Sequence, residues 1–206
     1  MKKEYILGIL FFSGLWGISE AVLGDALYSG DVPYASIPLT IIGFVVLTFA
    51  RAYFPQKGTA VLIAACAMLY KFLNEPFFAC HLLGILLLGV CYEVFFSTSI
   101  LKNRSIRAAA AAYLGYASFA VMITYVFRYE HWVQGGFGKV VSYVGIGGSI
   151  AALGCAVFVP LSFGLAEQLK TKFGAAFGFW LRLATVGVPV VATGLWIFSV
   201  VSFFYS

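Results

Sequence analysis

Two hundred and six residues, of which 62% are hydrophobic and only 10% charged, lie far from the balance of a soluble domain, where roughly a quarter of residues carry charge. At a mean hydropathy of +0.98, the chain is long enough for about seven membrane crossings of roughly 20 residues each and leaves too little loop for a separate soluble domain. The net charge of +5 does not point to nucleic acid, because Lys and Arg stand singly or in pairs at the ends of apolar runs, where they act as membrane-topology signals.

The apolar runs are too long for strands and lack the alternation of a membrane β-barrel, so the expected fold is all-α: one polytopic transmembrane helical bundle over residues 1–206. Seven spans are predicted, Tyr5 to Leu27, Ala35 to Tyr53, Thr59 to Leu73, Phe78 to Ser97, Ile106 to Phe127, Val140 to Gly164 and Phe177 to Phe203. The third is short for a hydrocarbon core of roughly 30 Å and needs Lys71 to snorkel outward or the bilayer to thin, so six spans is the alternative count. Lys2 and Lys3 open the first run, which continues past Trp16 and Glu20 without a small-residue cleavage site. It reads as a retained first helix.

Lys2, Lys3, Arg51, Lys57, Lys102, Arg104, Arg107, Lys170, Lys172 and Arg182 fall at one set of span ends, against Lys71, Arg128 and Lys139 at the other. The positive-inside rule then places the N-terminus in the cytoplasm. Cys66, Cys80, Cys91 and Cys155 lie within apolar runs without CxxC spacing. They are expected to be buried thiols acting as small hydrophobes.

An ionised side chain near the bilayer centre costs roughly 2.5–3.5 kcal/mol, so each one asks for a partner, a cavity or a function. Glu20 lies roughly 22 Å along the first helix and shares a face with Gly17 and Gly24, while Ser13, Gly17 and Ala21 form a small-residue ridge onto which another helix should pack. Glu20 either meets a ligand between helices or is an interhelical hydrogen-bonding group. Asp25 points to another side of the helix, which argues against a carboxylate dyad, and with Asp31 it is expected at the solvated outer boundary. Pro76 breaks the chain between the third and fourth spans and sets Asn74, Glu75 and His81 at the outer mouth; Lys71 and Glu75, four apart, could simply pair. Glu93 sits near the cytoplasmic boundary, within reach of Lys or Arg from the inner loops. Arg128, Glu130 and His131 precede a Gly-rich run, Gly135 to Lys139, which could form a flexible cap over a cavity. No P-loop, HExxH or GxSxG arrangement is present, so no catalytic residue is assigned.

The stretch Gly14-Leu-Trp-Gly-Ile-Ser-Glu-Ala-Val-Leu-Gly24, followed by Lys71 to Glu75 and the Gly84 to Glu93 helix, resembles the substrate-binding S components of energy-coupling-factor transporters. The resemblance covers mainly the first half of the chain. It implies a non-enzymatic subunit whose ligand, often a vitamin or a metal ion, enters from outside, and it implies Glu20, Asn74, Glu75 and His81 as pocket residues, with Trp16 and Arg128 as further candidates. It also implies that the ridge of Ser13, Gly17, Ala21 and Gly24 docks onto a transmembrane coupling subunit, with ATP hydrolysis in separate ATPase subunits. Such S components usually have six spans.

Three readings follow. The first is a binding or transport subunit for a small solute, such as a cation or a protonated amine, with carboxylates facing outward. The second is a small membrane metalloprotein or haem enzyme in which His81 and His131, with Glu75 or Glu130, hold a metal or a b-type haem. The third is an assembly subunit whose polar residues only join helices.

Overall fold

A computed structural model describes residues 3–73, 79–98, 101–172 and Gly187. These residues form helices without strands. Helix α1 spans Lys3–Ser29, α2 Ser36–Tyr53 and α3 Thr59–Ala67, the last tightening into 3-10 turns over Met68–Leu73. Helix α4 spans Ala79–Ser97, and α5 spans Arg104–Val121 before a π-helical turn at Met122–Val126. Helix α6 begins at Glu130 and runs, through a second π-helical turn at Tyr143–Gly148, as far as Lys172.

Five helices are long and apolar enough to cross a membrane, and Thr59–Phe72 forms a shorter sixth. The predicted seventh span, Phe177 to Phe203, lies outside the described residues except for Gly187, and a count of seven is not supported. The Gly-rich run also differs from expectation. Rather than a flexible loop it is helical from Glu130 onward and broken only at Gly136, whose φ of 58° and ψ of −161° are open to glycine.

Why these segments pack together follows from where small residues fall. Helix α5 presents Ala108, Ala111, Ala112 and Gly115, all buried, a spacing that lays one small-residue stripe along the helix and lets α4 approach closely. Gly89 of α4 does the same against Ala64 of α3. Into the remaining space go Trp16, Phe44, Leu47, Ile63, Tyr92 and Val159, each essentially inaccessible. Large apolar side chains on the outward faces, among them Val22, Leu62, Leu153 and Leu161, stay exposed, as expected of a surface that meets lipid rather than water.

Trp16 and Gly43 show how tight the core is. A Cβ placed on Gly43 would lie 2.6 Å from the Trp16 indole nitrogen, and the indole itself has no accessible surface. Gly43→Val is therefore expected to destabilise the bundle by about 1–3 kcal/mol through overpacking, read as a lowered midpoint in thermal denaturation of the detergent-solubilised protein.

The two ends of the bundle differ in chemistry. At one end Arg51 of α2 meets Glu93 of α4 at 3.5 Å, Arg104 of α5 meets Glu167 of α6 at 3.3 Å, and the Lys170 ammonium donates to the Ala52 carbonyl. Glu93 thus has the basic partner expected of it. It also accepts the Ala60 N–H at 3.0 Å, one of the orphan donors in the first turn of α3, which begins at a left-handed Gly58 with no side-chain cap of its own. Ser97 donates to the same carboxylate. All four cysteines are free thiols.

Candidate functional site

The opposite end of the bundle holds a cavity of about 780 Å³. Glu20 and Asp25 of α1, Lys71 of the 3-10 turns, His81 of α4 and His131 of α6 all border it. The rest of the wall combines small and aliphatic side chains with aromatic ones, among them Tyr28, Tyr34, Tyr116, Phe119, Trp132 and Tyr143.

Glu20 forms part of the floor. Only 6% of the residue is exposed, and its carboxylate accepts the Trp16 indole N–H at 3.3 Å. Lys71, 3% exposed, reaches it from the third helix: the ammonium donates to the Glu20 carbonyl at 2.5 Å and stands 3.8 Å from the carboxylate. Lys71 therefore turns inward to α1 and does not snorkel outward. The 3-10 turns make this possible, since their tighter winding carries the side chain onto the α1 face. Burying the acid and the base together offsets part of the desolvation cost that either would carry alone.

The small-residue ridge explains how Lys71 gets so close. Ser13, Gly17, Ala21 and Gly24 are all buried; a Cβ on Gly17 would run into the Tyr70 ring, and one on Gly24 would sit 2.8 Å from the Lys71 nitrogen. The helix that packs on the ridge is the chain's own third helix.

Around the floor, the rings hold one another. Tyr28 stacks on His81 with centroids 4.9 Å apart and planes at 19°. Tyr116 stacks on Tyr143 at 4.9 Å, and Trp132 meets Tyr143 edge-on at 5.0 Å and Phe119 edge-on at 5.5 Å. The Tyr116 hydroxyl is fixed by donating to Ser36 at 3.1 Å. Such contacts favour a preformed wall, because each ring is oriented by its neighbours.

Backbone strain gathers at the same end. Among the described residues, the non-glycine positions with positive φ are Asp31, Tyr34 and Arg128, in the α1–α2 and α5–α6 connections. A bulky residue in this region costs of order 1–3 kcal/mol and persists only where its surroundings hold it; Tyr34 borders the cavity.

Comparison with family models, characterised proteins and solved structures finds no match to this chain. Of the predicted ligand residues, Glu20 and His81 border the cavity; Trp16 lies behind Glu20 as its hydrogen-bond donor, and Arg128 is exposed and outside the lining. Asn74 and Glu75 lie outside the described residues. Of the metal candidates, His81 and His131 border the cavity, whereas Glu130 is exposed and accepts from the Gln134 side-chain amide at 3.0 Å. Among the described residues, no three His, Cys, Asp or Glu side chains are grouped as a metal site would require.

Sequence reasoning did not anticipate the Lys71–Glu20 pair, the placing of Asp25 on the cavity rim, or the aromatic wall. The first was signalled by two lone opposite charges in neighbouring apolar segments. The aromatic wall had no comparable signal, since aromatic residues at the ends of membrane helices are ordinary.

Proposed function

We propose that the chain is a membrane subunit that binds a small solute for transport, with its pocket open to the outer face of a bacterial inner membrane. What carries this reading is the cavity itself, in which Glu20, Lys71, His81 and His131 meet at one end of an otherwise apolar bundle. Its volume falls within the range of preformed small-molecule sites, and its mix of apolar wall with a few convergent polar groups is the usual composition of one. The charge pattern supports the orientation: Arg51, Arg104 and Lys170 collect at the end away from the cavity, which the positive-inside rule assigns to the cytoplasm.

The role matches the one implied by the resemblance to S components, in which a non-enzymatic subunit captures the solute and separate coupling and ATPase subunits drive its release. Because the Ser13, Gly17 and Ala21 ridge is filled by the third helix, docking of a coupling subunit would use another face of the bundle.

Native mass spectrometry of freshly extracted protein tests the reading, with a small molecule retained on the chain as the expected result and a bare chain as the contrary one. Once the solute is known, Glu20→Gln is expected to weaken its binding about tenfold or more, because it removes the charge that balances Lys71 and leaves an uncompensated ammonium on the pocket floor. The variant leaves the buried Lys71 ammonium without its carboxylate and is expected to lose stability, so its thermal midpoint is measured alongside; glutamine still accepts from Trp16, and the Lys71 contact to the Glu20 carbonyl is untouched. Unchanged affinity in calorimetry would remove Glu20 from the pocket.

A further inference from the structure

We infer that the solute is an organic cation, an ammonium group carried on an apolar or aromatic body; this inference rests on the pocket reading above and names its ligand class. Size favours an organic molecule as the occupant, because a cavity of about 780 Å³ is of the order that encloses a drug-sized ligand.

Charge then separates cations from anions. Among the described residues, Lys71 is the one Lys or Arg in the lining, against the two carboxylates of Glu20 and Asp25. The Lys71 ammonium is already engaged with Glu20 through both its carbonyl and its carboxylate, so a bound anion would have to draw it away and would face Asp25 besides. A cation meets the opposite situation. Asp25 supplies a carboxylate at the rim, beyond the one that Lys71 balances.

The wall favours the same class. Aromatic faces carry negative electrostatic potential and attract ammonium groups within about 6 Å of a ring centroid, most strongly at tryptophan. Trp132 already shows this behaviour, for the Lys139 ammonium lies 5.1 Å from its ring centroid. Tyr116, Phe119 and Tyr143, packed beside Trp132 and bordering the cavity, extend the aromatic surface for the body of the ligand. In this arrangement the ammonium sits towards Asp25 and the body lies against the Trp132 cluster.

The test uses the full chain in lipid nanodiscs at pH 8, above the ordinary titration range of imidazole, and two probes of similar size and opposite charge, benzyltrimethylammonium and benzenesulfonate. Binding is read by isothermal titration calorimetry, with empty nanodiscs as the blank. The expected result is saturable binding of benzyltrimethylammonium at least tenfold tighter than benzenesulfonate, reduced about tenfold in Asp25→Asn and reduced again in Trp132→Leu. Asp25→Asn changes no packed contact of an exposed side chain, and its thermal midpoint, unchanged from the parent, checks that it folds. Equal or tighter binding of benzenesulfonate overturns the cation assignment while leaving the pocket in place. Failure of both probes to bind overturns the assignment, and a bare chain in native mass spectrometry removes the pocket reading with it.

Discussion

Lys71→Met is expected to be among the most damaging single substitutions in this protein, at about 3–5 kcal/mol, the usual cost of removing one partner of a buried ion pair. Methionine matches lysine in length and suits an apolar surrounding, so packing changes little. What changes is that the Glu20 carboxylate, 6% exposed, keeps only the Trp16 indole as a donor among the described residues, and the Glu20 carbonyl loses the ammonium that now donates to it. The double variant Glu20→Gln with Lys71→Met should recover most of the loss, because it removes both charges together. Thermal denaturation in detergent measures both. A Lys71→Met protein as stable as the parent would show that the pair contributes nothing, and a double variant no better than the single would place the cost in packing instead of charge.

Glu93→Ala is expected to cost about 2–3 kcal/mol, from a lost charge-assisted hydrogen bond and a broken, partly exposed ion pair. The residue serves three donors from different parts of the chain: Arg51, the Ala60 N–H and Ser97. Alanine leaves the first turn of α3 without an acceptor for Ala60 and leaves Arg51 with the Phe96 carbonyl and Ser97 alone. Glu93→Gln keeps an acceptor and should lose less. Hydrogen exchange separates this from a general loosening, since faster exchange is expected first at the start of α3 and not in α5. Uniformly faster exchange through the bundle would show that Glu93 supports the whole fold and has no special role at that helix start.

The all-helical architecture was legible because burial in an apolar medium leaves few ways to satisfy a backbone, and long uncharged runs leave fewer. The start of α2 near Ala35 and its end at Tyr53, the beginning of α3 at Thr59 and the end of α4 at Ser97 all follow the expected spans. The helix through Gly135 and Gly138 did not, since glycine disfavours helices on its own and only tertiary packing of Trp132 and Val140, both buried, overrides it. At the site, the lone charges Glu20 and Lys71 stood out individually, but pairing them requires knowing that the third helix lies on the first. Local spacing pointed Lys71 to Glu75 instead. The partnership of Glu93 with a basic group was readable from depth alone, whereas its hydrogen bond to Ala60 depends on how α4 meets α3.

The π-helical turn at Tyr143–Gly148 divides α6 into two independently aimed halves. Below it, Ala151, Ala152, Cys155, Val159, Phe163 and Ala166 keep one buried stripe against the bundle; at its upper end Tyr143, and above it Trp132 and His131, border the cavity. A widened turn accommodates one surplus residue, and each residue advances a helix by about 100°. Losing a single position there would leave the lower stripe seated while turning the stretch between the turn and the break at Gly136, and with it the direction from which the aromatic cluster enters the chamber. The geometry of the chamber is thus set by counting in α6 as much as by the identity of any side chain that it presents.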